Sequence, residues 1–143
     1  MNAAGVEKKR VTDKSALIEA NAAFYTAFAE GNADLMEGLW SGHAEITCIH
    51  PGWPPLDGLD EVMGSWRCIL SASSPLIGIS DAKAYQYENV GYVVCQEHLE
   101  PGVLVATNIF FLEEGNWKLV HHQAGISPSN VSHSNTQGTD TLQ

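Results

Sequence analysis

The chain has 143 residues, of which 44% are hydrophobic and 17% charged, a composition typical of one soluble globular domain. The formal net charge is −10, and beyond residue 14 only Arg67, Lys83 and Lys118 oppose 15 acidic residues. Such a surface repels phosphate backbones, so we expect no nucleic-acid partner. No apolar run approaches the roughly 20 residues that span a bilayer, and the N-terminus lacks a secretory signal. We therefore expect no membrane contact and a cytoplasmic location.

The predicted elements are two helices, a strand, a third helix and then a four-strand meander. Thr12 or Asp13 can cap the first helix, in which apolar residues recur at helical spacing as far as Gly31. The segment 44–50 alternates like a strand, with Ile46, Cys48 and His50 on one side, and Asp60 can cap the third helix. Helices at one end of the chain and strands at the other predict an α+β fold.

The domain boundaries follow from composition. Residues 1–11 are expected to form a flexible leader, residues 12–126 the folded domain, and residues 127–143 a disordered tail. The tail is polar and too poor in apolar residues to bury a core of its own.

The last two predicted strands hold several candidate residues. They are joined by the turn Glu113-Glu114-Gly115-Asn116, in which Gly115 can adopt the positive φ of a short hairpin. If Leu112 faces Trp117, a regular antiparallel register places Asn108 opposite His121 on one face. The other face then carries Ile109, Val120 and His122. Both faces are mainly apolar, which predicts that something covers each of them.

The order of elements, the segment HPGWPPLDGLDEVMGSW (residues 50–66) and the closing strand WKLVHH (residues 117–122) resemble the nuclear transport factor 2-like superfamily. The closest resemblance is to its SnoaL-like, polyketide cyclase-like branch, and it covers residues 12–126. It implies a cone-shaped α+β barrel, in which a strongly curved, largely antiparallel sheet wraps around three N-terminal helices. The open end of the cone would hold a pocket. Because this fold serves several enzyme classes and also non-catalytic modules, enzyme status stays open.

The resemblance also assigns a role to each face of the sheet. The face with Asn108 and His121 would line the pocket. The opposite, convex face would pack against a second copy of the chain. We therefore expect a homodimer, formed through Val105, Ile109, Phe111, Val120 and His122.

His50, His121 and Glu97 are the candidate catalytic residues. Histidine titrates near neutral pH, and His50 ends the first strand on its inner side. Glu97 and His98 point to opposite faces, so only one of them enters the cavity. A two-residue turn at Glu100-Pro101 places Glu97 inside, whereas a slip of one residue would exchange the two. A buried glutamate beside a histidine would form an acid/base pair.

Trp53, Trp66, Asn108 and His98 are the candidate ligand-binding residues. Trp53 lies between Gly52 and Pro54 and is expected at the rim of the pocket, while Trp66 either lines the pocket or belongs to the core. We expect no metal, since no HxH or HExxH spacing occurs, and no cofactor, since nucleotide-binding motifs are lacking.

Two functions are compatible with these residues. The first is a pocket for a small, partly apolar ligand, with proton transfer of the isomerase, cyclase or dehydratase type. The second is a non-catalytic ligand-binding or dimerisation module that acts through the convex face of its sheet.

Overall fold

The structure is a computed structural model that describes the backbone of residues 2–72 and 76–127 and the side chains of residues 14–72 and 76–127. Its elements are α1 (Asn2–Glu30), α2 (Ala33–Leu39), β1 (Thr47–Ile49), β2 (Leu56–Asp57), α3 (Leu59–Ala72), β3 (Gly78–Tyr87), β4 (Val90–Leu99), β5 (Gly102–Glu113) and β6 (Asn116–Ile126). The predicted order is confirmed, with the two-residue strand β2 as an addition.

The start of α1 differs from the prediction. The backbone is already helical from Asn2, so the expected N-cap at Thr12 or Asp13 is wrong. Residues 6–16 contain no glycine or proline that would oppose a helix. The side chains of residues 2–13 and the whole of residues 128–143 lie outside the described residues. The flexible leader and the disordered tail therefore stay predictions.

The strands form one sheet in the order β2-β1-β6-β5-β4-β3. Strands β3 to β6 are the predicted antiparallel meander, and β1 adds to β6 in parallel. The sheet curves around the helices, and α1 packs against β3, β4 and β6. The predicted α+β fold, a cone with a largely antiparallel sheet, is confirmed.

The core lies between α1, α3 and the inner face of this sheet. Phe24 and Trp66 are fully buried and meet edge to face, with their ring centroids 5.5 Å apart. This geometry is favourable for aromatic pairs and adds to the burial of both rings. No helix among the described residues is long and apolar enough to cross a membrane.

The β5–β6 hairpin begins as predicted. Glu114 and Gly115 have φ values of 52° and 83°, as in the two-residue type I′ turn that suits the twist of a hairpin. Leu112 pairs with Trp117. Further from the turn, the register shifts between Ile109 and Phe110, because Val120 is an extra residue in β6. Such a bulge moves every later residue of the strand by one position.

The bulge makes the predicted facing of the two histidines wrong. Asn108 pairs with His122 and not with His121. His122 is 2% exposed and lies on the inner face. His121 lies on the other face of the sheet, with its Nδ1 2.6 Å from Oγ1 of Thr47. Side chains alternate along a strand, so a shift of one residue exchanges the faces.

The same bulge changes the composition of the outer face, which we define as the side of β3–β6 that points away from the helices. His122 does not belong to it, and Val120 is buried. Val105 and Phe111 are exposed there, and Ile109 is half-buried between them, in agreement with the prediction.

Candidate functional site

His50 lies in a series of rings that leads from the surface to the interior. Its ring contacts those of Trp53 and Trp66, each at a centroid distance of 4.8 Å and close to perpendicular. Trp53 is 40% exposed, His50 4% and Trp66 0%. Trp53 therefore lies at the surface and Trp66 in the core, while the position of Trp53 at a pocket rim stays a prediction.

The hydrogen bonds of His50 define its protonation. Its Nε2 lies 2.9 Å from Oγ of Ser65, and the Ser65 hydroxyl donates to the carbonyl oxygen of Val62 at 2.7 Å. Because Ser65 has used its only proton, Nε2 of His50 must donate to Ser65. Burial lowers the pKa of His50 to about 4, so the ring is neutral at pH 7. Its Nδ1 is then an acceptor, and no described residue donates to it.

A second group of polar side chains lies on the inner face beside α1. Tyr25 donates to Oε2 of Glu97 at 2.5 Å. Nδ2 of Asn108 donates to Oδ1 of Asn21 at 2.8 Å and to the Tyr25 oxygen at 3.2 Å. Oδ1 of Asn108 lies 2.6 Å from Nδ1 of His122. All five side chains are buried, so they satisfy one another in place of water.

Burial also shifts the pKa values in this group. It lowers the pKa of His122 to about 3, with smaller contributions from His50 and His121. It raises the pKa of Glu97, an effect that the hydrogen bond from Tyr25 opposes. Burial and the charge of Glu97 raise the pKa of Tyr25. Titratable groups with strongly perturbed pKa values in one place are typical of functional sites.

The two histidines lie close to each other within an aromatic wall. The ring centroids of His50 and His122 are 6.3 Å apart. Phe24 lies 4.9 Å and Trp66 5.8 Å from the ring of His122. The two imidazoles are therefore the polar members of an otherwise aromatic wall.

The structure brings together only part of the predicted site. His50, Glu97 and Asn108 are inside with Trp66. The β4–β5 turn has two residues, since Leu99 pairs with Gly102, and this confirms that Glu97 faces inward. His98 is exposed, 2.7 Å from Oγ of Ser80, and His121 lies on the outer side. Among the described residues, no group of three or more His, Cys, Asp or Glu side chains could hold a metal ion.

The sequence analysis missed Tyr25, Asn21 and Ser65 as members of the site. A signal for two of them was present in α1, where Leu17, Asn21 and Tyr25 recur every four residues along the buried stripe. Polar side chains on such a stripe must find partners inside the protein. The inward facing of His122 had no comparable signal, because the bulge depends on how β6 pairs.

Residues 17–128 match the family model of the SnoaL-like domain, and the chain belongs to this family. A curated relative, the F-box protein SKIP8 of Arabidopsis thaliana, is 24% identical over 114 residues. That match covers 78% of this chain but 49% of SKIP8, so the chain spans about half the length of this relative.

Solved structures show the same nuclear transport factor 2-like fold. A candidate dehydratase of this family from Streptomyces avermitilis is 28% identical, with a TM-score of 0.76, over 82% of this chain and 98% of that one. A candidate association domain of calcium/calmodulin-dependent protein kinase type II from Thiobacillus denitrificans is 26% identical, with a TM-score of 0.69, over 76% and 92%. A candidate ketosteroid isomerase from Shewanella frigidimarina shares the fold at 13% identity and a TM-score of 0.66, over 76% and 94%.

Proposed function

We propose that this chain binds a small, partly apolar molecule beside His50 and His122 and transfers a proton on it. One observation carries the proposal. Two neutral, buried histidines lie near each other, and each uses one nitrogen on a protein partner. The second nitrogen of each ring has no hydrogen-bond partner among the described residues. Such nitrogens can accept a hydrogen bond from a ligand hydroxyl or remove a proton from carbon.

The position of the rings suggests how the site operates. A ligand that enters past Trp53 meets His50 first and His122 deeper inside. Burial opposes the charged form of both rings, so a proton taken from the ligand is held only briefly. Return of that proton to another atom of the ligand is the pattern of isomerisation and dehydration. The similarity to the candidate dehydratase from Streptomyces avermitilis supports this class of reaction.

Exchange of protons next to a carbonyl group tests the proposal directly. Cyclohexanone in D₂O serves as the first probe, followed by larger cyclic ketones, with deuterium uptake measured by NMR. We expect the wild-type protein to accelerate exchange, and His50→Gln and His122→Gln to reduce the acceleration at least tenfold, within the usual contribution of a general base. His98→Gln, on the exposed outer side, is the matched control and should keep the full rate.

A protein that neither accelerates exchange nor shows ligand-induced shifts of the His50 and His122 resonances with any ketone of the series would contradict the proposal. Acceleration that persists in both histidine variants would place the chemistry elsewhere.

A second proposed function, assembly through the outer face, rests on a separate observation. Several large apolar side chains are exposed on neighbouring strands of this face: Tyr85, Tyr87, Val90, Val105 and Phe111. Tyr85 and Tyr92 stack with their centroids 4.9 Å apart beside a cleft of about 570 Å³. A contiguous exposed apolar surface is typical of an interface. We propose that a second copy of the chain covers it, and the similarity to the candidate kinase association domain supports assembly.

Molecular mass in solution tests the assembly. Phe111→Asp places a charge on this surface and should convert a dimer into a monomer, measured by light scattering after gel filtration. Leu76→Asp makes the same change at an exposed site outside the outer face and should leave the dimer intact. A wild-type protein that is monomeric at high concentration would exclude the homodimer.

A cytoplasmic location completes the proposal. Cys48, Cys68 and Cys95 are free thiols, which is the state that the cytosol maintains. Fractionation of cells that produce the full chain would test this location.

A further inference from the structure

Three hydrogen bonds in series connect the carboxyl group of Glu97 with the imidazole of His122. The Tyr25 hydroxyl lies 2.5 Å from Oε2 of Glu97, and Nδ2 of Asn108 lies 3.2 Å from the Tyr25 oxygen. Oδ1 of Asn108 lies 2.6 Å from Nδ1 of His122. All four side chains are buried, so water does not offer them alternative partners readily. The direction of one bond therefore constrains the next.

The direction of the whole series follows from the chemistry of Glu97. An ionised Glu97 only accepts hydrogen bonds, so Tyr25 donates its single proton to it. The Tyr25 oxygen can then only accept, and Asn108 turns its amide NH₂ toward it. The carbonyl oxygen of Asn108 consequently faces His122, and Nδ1 of His122 must carry the proton. The tautomer of a histidine is set by the partner of one of its nitrogens in this way.

Asn21 on α1 also contacts Asn108. Its hydrogen bonds are compatible with this direction of the series but do not determine it. Oδ1 of Asn21 accepts from Nδ2 of Asn108 at 2.8 Å, and Nδ2 of Asn21 lies 3.8 Å from Sγ of Cys95. The Cys95 thiol donates to the Tyr25 oxygen at 3.6 Å, but this weak donor can turn to Asn21 instead, so Asn21 could turn over and still be satisfied. Within the series, only the carboxylate at its end lacks the freedom to reverse.

We infer that Glu97 is a positioning residue, which fixes the Nδ1–H tautomer of His122 through Tyr25 and Asn108. In this tautomer Nε2 of His122 is free to accept a proton from a ligand. Without the carboxylate the series can reverse, so that Tyr25 donates to the Asn108 oxygen and the amide NH₂ faces His122. The proton of His122 then lies on Nε2, and this nitrogen can no longer accept a proton from a ligand. The importance of the tautomer for catalysis rests on the proposed function, whereas the tautomer itself does not.

Nitrogen NMR of the protein labelled with ¹⁵N-histidine measures the tautomer without any ligand. His122→Gln identifies the His122 signals by their loss. At pH 7 we expect Nδ1 of His122 to be protonated and Nε2 unprotonated in the wild-type protein. In Glu97→Leu the Nδ1–H form should fall below the Nε2–H form. Glu113→Leu is the matched control, since Glu113 is also on the sheet and accepts from Ser41 at 2.7 Å, and it should leave the tautomer unchanged.

A wild-type His122 that is protonated on Nε2 overturns the inference, as does a Glu97→Leu protein that keeps the Nδ1–H form. An equal shift in Glu113→Leu overturns it too, because the effect would not be specific to Glu97. Should Glu97→Leu fail to fold, Tyr25→Phe decides, since it removes a single oxygen from the series. A shift toward Nε2–H in Tyr25→Phe supports the inference, and an unchanged tautomer refutes it.

This experiment is independent of the test of function. Ketone exchange can fail while His122 shows the expected tautomer, and the tautomer can be wrong while exchange is catalysed. Where both succeed, loss of exchange in Glu97→Leu with retained ligand binding would show that the tautomer matters for the reaction.

Discussion

Strands β3–β6 hold buried polar groups on their inner face and exposed apolar groups on their outer face. On the inner face Glu97, Asn108 and His122 are buried and hydrogen-bonded to other side chains. On the outer face Val105 and Phe111 are exposed. A sheet with one solvated face usually shows the reverse, with polar residues outside. The buried polar groups depend on partners inside the protein, whereas the exposed parts of Val105 and Phe111 have none among the described residues.

Two serine–histidine contacts differ in their exposure to water. The buried interior and the outer face each have a serine within hydrogen-bond distance of a histidine, at 2.9 Å between Ser65 and His50 and at 2.7 Å between Ser80 and His98. The first contact is buried and the second exposed to water. Water can replace a lost partner only at the exposed contact. Loss of the serine hydroxyl should therefore lower the free energy of unfolding more at His50 than at His98.

Acidification should have the largest effect, since it acts on the interior alone through His50 and His122. Burial places their pKa values near 4 and 3, below the ordinary value of 6.5. Between pH 8 and pH 5 the unfolded chain therefore binds protons that the folded chain does not. The two histidines should lower the free energy of unfolding by about 4 kcal/mol over this range. Urea unfolding at a series of pH values measures the change.

Glu97 has the opposite effect on stability. Burial raises its pKa in the folded chain, so on acidification the folded chain binds this proton before the unfolded chain does and is stabilised by it. The contribution of each histidine is isolated by comparison with His50→Gln and His122→Gln. Each variant should lose about half of the histidine contribution to the pH dependence. A wild-type curve that matches both variants would mean that the histidines are not buried as neutral rings.

Truncation of Asn108 should have the next largest effect. Asn108→Ala leaves Oδ1 of Asn21 without its donor and His122 without its acceptor in the interior, and it opens a small cavity. We expect a loss of about 3 kcal/mol in the free energy of unfolding. Thr107→Ala, one residue earlier on the outer face, should cost less than about 1 kcal/mol. Equal losses in these two variants would remove the energetic distinction between the faces.

Removal of the serine hydroxyl from each of the two serine–histidine contacts should have the smallest effect on the free energy of unfolding. Ser65→Ala leaves the Nε2 proton of His50 with only the weak acceptor Sγ of Cys48, 3.7 Å away, and should cost about 1 to 3 kcal/mol. Ser80→Ala should change the free energy of unfolding by no more than about 0.5 kcal/mol, because water replaces the hydroxyl. Thermal unfolding of the two variants beside the wild-type protein is sufficient to measure this. A larger loss in Ser80→Ala would contradict the role assigned to burial.

Part of the site could be predicted because it depends on local rules. Gly115 indicated the hairpin turn, and the two-residue connection at Glu100-Pro101 placed Glu97 inside. The position of His50 followed from alternation with Ile46 and Cys48, all three of which are buried. These inferences use only neighbours in sequence and the period of a strand or helix.

The sequence by itself determined the family, the α+β order of elements and the hairpin turn, since motif, periodicity and turn chemistry are local properties. The tertiary structure decided which histidine of the pair enters the interior, because the extra residue Val120 is accommodated only when β6 pairs with its neighbours. It also decided that Tyr25 and Asn21 of α1 meet Glu97 and Asn108 of the sheet. Contacts between residues more than 70 positions apart depend on how the sheet curves around the helix, and no spacing along the chain encodes them.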